Sequence, residues 1–137
     1  MGAEVFVDTS AWYAAADRGD KAHARMASAL HRAVREGRRL VTTNLVVAET
    51  HVLLLRRIGR DQALAFVRAA GSPPNLVVDS TSELQRAAVD DWLARYSDQD
   101  FSYADAVSFA VMTSWGIREA LTLDQHFSTA GFQVVPR

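Results

Sequence analysis

Short apolar runs alternate with amphipathic stretches along the chain, and this alternation limits the fold more than any other feature. The first run, Val5-Phe6-Val7, is built from β-branched and aromatic residues, as buried strands are. Similar runs follow at residues 40–42, 76–78, 119–123 and 132–135. Strands that alternate with helices are typical of α/β domains with a parallel sheet. We therefore predict a three-layer α/β/α fold around a parallel sheet of about five short strands.

The stretches between these runs carry apolar residues at steps of three and four, which predicts helices. Polar residues that favour helix starts precede most of them, and glycines such as Gly37, Gly59 and Gly116 follow several of them. The predicted helices begin near Thr9, Asp20, Asn44, Arg60, Thr81, Ser102 and Asp124.

Composition restricts the class of protein further. With 137 residues, the chain is predicted to be one domain over residues 1–137. A formal net charge of −1 does not indicate a strongly basic nucleic-acid binder, and the absence of cysteine excludes disulfide and thiolate chemistry. No apolar run reaches membrane-spanning length, and the first residues lack a signal-peptide pattern. We expect a cytoplasmic protein without a membrane partner.

Four acidic residues share a predicted position at the carboxyl edge of the sheet. Asp8 follows the first strand, Glu49 lies in the first turns after the second, and Asp105 opens the helix before the fourth. Asp124 follows the fourth strand directly. Each acid also has an ordinary explanation. Asp8 and Asp124 have the position of helix caps, Asp105 has the capping-box spacing from Ser102, and Glu49 can reach water from the edge of an apolar stripe.

Taken together, the four acids predict a metal site. Carboxylates that meet in one cleft repel each other and raise each other's pKa, and a divalent cation removes this cost. Mg²⁺ and Mn²⁺ prefer oxygen ligands, so the set is suited to phosphate chemistry. The histidines form no zinc motif and are interpreted as surface or hydrogen-bonded residues rather than ligands; they are His23, His31, His51 and His126.

The chain resembles the PIN-domain family, and within it the VapC-type toxin ribonucleases of type II toxin–antitoxin systems. The resemblance covers nearly the whole length and rests on four segments. These are VFVDTSAW with Asp8, TTNLVVAET with Glu49, FSYADAVSFAVM with Asp105 and LTLDQHF with Asp124. The family's acidic quartet corresponds to these four acids. Three polar residues match positions often found near the site in such proteins, and they are Thr9, Asn44 and Ser102.

The resemblance implies a metal-dependent endoribonuclease that uses Mg²⁺ or Mn²⁺. Asp8, Glu49 and Asp105 would hold the ion, with Asp124 as a direct or water-mediated ligand. Arginines at the rim would hold the RNA backbone, and the candidates are Arg18, Arg38, Arg39, Arg56 and Arg57. Trp12 and Tyr13 are close enough in sequence to stack a base, although core packing is the ordinary explanation for both.

The resemblance also implies protein partners, which are a cognate antitoxin and a second copy of the chain in a homodimer. The apolar residues considered for such an interface, with core packing as the default for most, are Leu53, Leu54, Leu55, Ile58 and Phe66.

Three other functions are weighed against the toxin. A non-toxin RNA-processing PIN nuclease would use the same chemistry, and a non-catalytic interaction module would use the acids only to bind a partner. An aspartyl-phosphate enzyme is disfavoured, because the known families need a lysine late in the chain and none follows Lys21.

Overall fold

The structure is a computed structural model that describes residues 4–136. Five strands form one parallel sheet in the order β3-β2-β1-β4-β5. The strands are β1 (Glu4–Val7), β2 (Arg39–Thr43), β3 (Asn75–Val78), β4 (Glu119–Leu121) and β5 (Gln133–Val135). The predicted α/β class, the parallel sheet and the number of strands are therefore confirmed.

Within the described residues, seven α-helices connect the strands and cover the sheet. They are α1 (Thr9–Ala16), α2 (His23–Arg35), α3 (Asn44–Arg57), α4 (Arg60–Ala70), α5 (Ser82–Ala87), α6 (Tyr103–Trp115) and α7 (Gln125–Thr129). Helix α5 continues into a π-helical turn at Ala88–Leu93. Helices α1 to α4 pack against each other, whereas α5, the π turn and α6 form a second packed group. Within residues 4–136, no helix is both long and apolar enough to cross a membrane.

Two predicted boundaries differ from the structure for local reasons. The helix expected from Asp20 begins at His23, because the Asp20 side chain accepts a hydrogen bond from the Ala22 amide at 2.8 Å and closes a turn instead. The fourth strand ends at Leu121, because the Leu123 amide donates to Ser10 Oγ at 2.8 Å and leaves the sheet.

Strand β1 lies at the centre of the sheet, where both of its faces are covered. Phe6 pairs in register with Val41 of β2 on one side and with Ala120 of β4 on the other. Val5, Phe6 and Val7 are fully buried, which explains why this strand reads as a continuous apolar run rather than an alternating one. The residue that follows β1 is therefore held between the ends of two neighbouring strands.

An aromatic cluster fixes the second group of helices against the sheet. Phe109 of α6 is fully buried, and its ring centroid lies 5.0 Å from that of Trp92 in the π turn and 5.0 Å from that of Phe127 in α7. Phe127 in turn stacks on Phe6 of β1 at 6.1 Å. These contacts position the starts of α6 and α7 relative to the carboxyl end of β1.

The apolar residues considered for an interface separate into two kinds. Leu54 and Phe66 are buried in the core, and Leu53 is half-buried. By contrast, Leu55 and Ile58 expose 44% and 39% of their surface on the outer side of α3 and at its end. The helical rotation of α3 separates adjacent leucines in this way, so only Leu55 and Ile58 remain as clear surface candidates.

Candidate active site

The four acids predicted from the sequence line one cleft of about 910 Å³ at the carboxyl edge of the sheet. Asp8 connects β1 to α1, and Asp124 connects β4 to α7. Glu49 lies in the second turn of α3, and Asp105 lies in the first turn of α6. The cleft therefore joins side chains that are up to 116 positions apart in the sequence.

Asp8 is only 5% exposed, and its carboxylate is held from the side of β4. Its Oδ2 accepts hydrogen bonds from Thr122 Oγ1 at 2.9 Å and from Ser10 Oγ at 3.3 Å. The Asp8 side chain makes no capping bond to α1, although the residue stands at the cap position. The ordinary explanation of Asp8 as a helix cap therefore does not account for its side chain.

Burial raises the pKa of Asp8 from 3.8 to about 6. The negative charges of Asp105 and Asp124 add to this rise, whereas the nearby Thr9 amide and the hydrogen bond from the Thr122 hydroxyl oppose it. The protein's own groups therefore offset little of the negative charge of ionised Asp8. A bound cation would offset that charge.

Glu49 faces the cleft from α3 and is exposed rather than buried in the apolar stripe of that helix. Its Oε1 accepts a hydrogen bond from Thr9 Oγ1 at 2.6 Å. Glu49 was expected to reach water from the edge of the apolar stripe of its helix, and its exposed side chain agrees with that expectation. Thr9, which follows Asp8 directly, thereby orients the second acid across the cleft.

Asp105 forms the capping box of α6 and also reaches the cleft. Its backbone amide donates to Ser102 Oγ at 3.0 Å, and its Oδ2 accepts from the Ser102 amide at 3.4 Å. The same Oδ2 lies 3.1 Å from Nδ1 of His126. The structural and the functional interpretation of Asp105 are therefore compatible, because the capping box fixes the carboxylate where it lines the cleft.

Asp124 caps α7, since its Oδ1 accepts the amide of His126 at 2.9 Å. Its own amide donates to Thr122 Oγ1 at 2.9 Å, which connects it to the hydroxyl that bonds Asp8. Thr122 is almost completely buried and bridges two of the four acids. The sequence analysis missed this residue. Its signal was a threonine two positions before Asp124, a spacing at which the hydroxyl can accept the following backbone amide and close a turn.

His126, which the sequence analysis interpreted as a surface or hydrogen-bonded residue, also lies at the site. Its Nδ1 lies between Asp105 Oδ2, at 3.1 Å, and Asp124 Oδ1, at 3.6 Å. The only sequence signal for His126 was its position two residues after Asp124, which was predicted to cap a helix. A scan for zinc motifs could not find it, because Asp105 is 21 residues away.

The three predicted polar residues differ in their positions. Thr9 and Ser102 line the cleft. Asn44 is exposed, and its Oδ1 accepts the amide of Ser80 at 2.9 Å, which ties the start of α3 to the loop after β3. Thr43, rather than Asn44, caps α3 through a bond from the Val46 amide. A role for Asn44 in the site stays a prediction.

Among the predicted rim arginines, Arg57 lines the cleft, and its guanidinium lies 5.2 Å from the centre of the Tyr13 ring. Arg38 and Arg39 were wrong choices for the rim. They lie at the amino edge of the sheet, where they pair with Glu119 and Glu4.

The two candidate stacking residues also separate. Trp12 is 8% exposed, and its Nε1 donates to Thr42 Oγ1 at 3.3 Å, so it belongs to the core. Tyr13 is as buried, with 7% of its surface exposed, but it lines the cleft, and its hydroxyl donates to Asp17 Oδ2 at 2.7 Å. This hydrogen bond lowers the pKa of Asp17 and raises that of Tyr13.

The donor groups in the cleft fit a hard or borderline divalent cation. One ligand atom each from Asp105, Asp124 and His126 lies within 4.8 Å of the other two. Asp8 and Glu49 add further carboxylates to the lining. Such a set suits Mg²⁺ or Mn²⁺, which take oxygen ligands and tolerate bound water.

A parallel α/β sheet with acids gathered at its carboxyl edge is the arrangement of a PIN domain. The chain belongs to the PIN domain family, whose sequence profile matches residues 5–133. It is similar to "23S rRNA-specific endonuclease VapC20" of Mycobacterium tuberculosis, with 38% identity over 128 residues that cover 93% of this chain and 95% of VapC20. It is also similar to "Ribonuclease VapC26" of the same organism, with 32% identity over 126 residues that cover 90% of each.

Solved structures agree with these relationships. The crystal structure of VapC20, described as a "Sarcin-Ricin loop cleaving toxin", matches with a TM-score of 0.84 and 37% identity over 93% of this chain and 95% of that one. FitAcB from Neisseria gonorrhoeae matches with a TM-score of 0.69 over 95% of each chain, but at 13% identity it supports the fold alone. The predicted PIN-like α/β/α fold and the likeness to VapC proteins are confirmed.

Proposed function

We propose that this protein is a metal-dependent endoribonuclease and the toxin of a VapC-type toxin–antitoxin pair. The observation that carries the proposal is the cleft in which four carboxylates meet, with the buried Asp8 at its base. The relationship to two proteins named as an endonuclease and a ribonuclease supports the same activity. We propose that a single domain, residues 1–137, carries this activity.

The carboxylates of Asp8, Asp105 and Asp124, together with Glu49, are the groups that would hold Mg²⁺ or Mn²⁺. A bound ion would lower the pKa of a water molecule and stabilise charge on the phosphate. The surrounding hydroxyls keep the acids in place, since Thr9 donates to Glu49 and Thr122 donates to Asp8. Hydrolysis by an activated water would leave a 5′-phosphate and a 3′-hydroxyl.

We further propose ribosomal RNA as the substrate class, with activity in the cytoplasm where ribosomes are found. The support is the identity of 38% to VapC20, which is named as specific for 23S rRNA, and the high structural similarity over 93% of this chain. A sarcin–ricin-loop hairpin is therefore the first RNA to test.

The test compares end-labelled RNAs incubated with purified protein in Mg²⁺, in Mn²⁺ and in EDTA. We expect cleavage of the sarcin–ricin hairpin with either ion, no cleavage in EDTA, and products with 5′-phosphate ends. If only unrelated RNAs were cleaved, the proposed ribonuclease activity would stand and the proposed ribosomal substrate would be contradicted. Binding without cleavage over a broad RNA panel would favour the non-catalytic interaction module.

Arg57 is proposed to hold a phosphate of the RNA at the rim of the cleft, because its guanidinium lines the cleft and rests on Tyr13. Arg57→Ala should weaken RNA binding about tenfold and reduce the slope of log K against log salt by about 1. Fluorescence anisotropy over a range of salt concentrations measures both quantities.

Arg56→Ala is the matched control, since Arg56 is the adjacent exposed residue of α3 and does not line the cleft. Equal losses in the two variants would show that only the general charge of α3 matters, and they would contradict a specific contact by Arg57.

An antitoxin and a homodimer are proposed as the protein partners. Exposed apolar side chains on α3 and α4 provide surface for such contacts; they are Val52, Leu55, Leu64 and Val67, with Ile58 directly after α3. Light scattering of the purified chain measures its mass, and a monomer at micromolar concentration would contradict the homodimer.

A further inference from the structure

His126 occupies the space between two acids of the cleft. Its Nδ1 lies 3.1 Å from Asp105 Oδ2 and 3.6 Å from Asp124 Oδ1. The side chain is 33% exposed, so it contacts both the acids and the open cleft. The acidic quartet does not include this imidazole.

The distances from His126 Nδ1 to the two acids can be compared with those between ligands around one small cation. Two ligand atoms at right angles around an ion, each at about 2.1 Å from it, lie about 3 Å apart. The separation of His126 Nδ1 from Asp105 Oδ2, 3.1 Å, matches this value, and that from Asp124 Oδ1, 3.6 Å, is somewhat wider. One ligand atom from each of the three residues lies within 4.8 Å of the other two. Little movement is therefore needed for the imidazole to share an ion with Asp105 and Asp124.

The imidazole ring is held in its position by its neighbours. The Phe101 ring packs edge-on against it, with centroids 5.3 Å apart and planes at 84°. The backbone amide of His126 is bound to Asp124 Oδ1 at 2.9 Å, which fixes the first turn of α7. A held ring can act as a ligand without a large loss of side-chain freedom on binding.

We infer that His126 supplies a nitrogen ligand to the metal site, next to Asp105 and Asp124, and that it biases the site toward Mn²⁺ over Mg²⁺. The inference rests on the proposed function for the presence of a divalent ion in the cleft. Its chemical basis is that Mg²⁺ strongly prefers oxygen, whereas first-row transition ions bind imidazole better. A ring that only donates a hydrogen bond to Asp105 would not produce this bias.

The first experiment is pulsed electron paramagnetic resonance of Mn²⁺ bound to the full chain without RNA. A coupling from ¹⁴N to the manganese is expected in the wild type and in His31→Ala, and it should be lost in His126→Ala. His31 is the control because it is exposed on α2 and does not line the cleft. A wild-type spectrum without ¹⁴N coupling would overturn the inference, and this result does not depend on any variant folding.

The second experiment measures the affinities of Mn²⁺ and Mg²⁺ by calorimetry. In His126→Ala and His126→Asn, the preference for Mn²⁺ over Mg²⁺ should fall about tenfold or more. An unchanged preference in variants with a wild-type circular dichroism spectrum would overturn the inference. If the protein cleaves RNA with metal but shows no nitrogen coupling, the proposed function stands and the His126 ligand fails. If no divalent ion binds, the proposed function and the proposed role of His126 as a ligand both fail.

Discussion

Asp8→Asn should lower the rate of RNA cleavage by on the order of a thousandfold, because it removes the charge of a proposed metal ligand. The asparagine has nearly the same shape and still accepts the hydrogen bond that Thr122 donates to Asp8. The loss should therefore come from charge and not from misfolding. Single-turnover cleavage of the labelled sarcin–ricin hairpin at saturating metal measures the rate.

Asp79→Asn is the matched control for this experiment. Asp79 also follows a strand of the sheet directly, in this case β3, but it is exposed and does not line the cleft. The Asp79→Asn variant should cleave RNA at the wild-type rate. A similar loss in both variants would count against the cleft as the site, and residual wild-type activity in Asp8→Asn would indicate a contaminating nuclease or a different site.

Asp8→Asn should also stabilise the metal-free protein at neutral pH. Burial raises the pKa of Asp8 from 3.8 to about 6 in the folded state. A raised pKa means that the folded state binds the proton more tightly, so the stability linked to Asp8 is complete below pH 3.8 and is lost as the pH rises through 6. Above that range, ionised Asp8 costs about 3 kcal/mol of unfolding free energy.

Urea unfolding in EDTA measures this effect. The variant should exceed the wild type by up to about 3 kcal/mol at pH 7.5, and the difference should shrink toward pH 4. Mn²⁺ at pH 7.5 should then stabilise the wild type more than the variant, because the ion compensates the Asp8 charge. A difference between the two proteins that does not change with pH would contradict the raised pKa of Asp8.

The local patterns of this chain were enough to predict its fold and the placement of its acids. Alternating apolar runs and helical periodicity depend on interactions within a few residues, so the five strands and most helices were predictable from them. Asp8, Glu49, Asp105 and Asp124 could be predicted to share an edge for a general reason. In a parallel sheet, every strand ends at the same side.

The remaining features depend on contacts between residues that are distant in sequence. Thr122 meets Asp8 across 114 positions, and His126 meets Asp105 across 21 positions. The first contact forms because β4 pairs with β1 in register, with Val7 opposite Leu121. The second forms because the aromatic cluster around Phe109 packs α6 against α7. No local pattern encodes that packing. The same limit explains why the sequence could not choose Arg57 over Arg38 for the cleft.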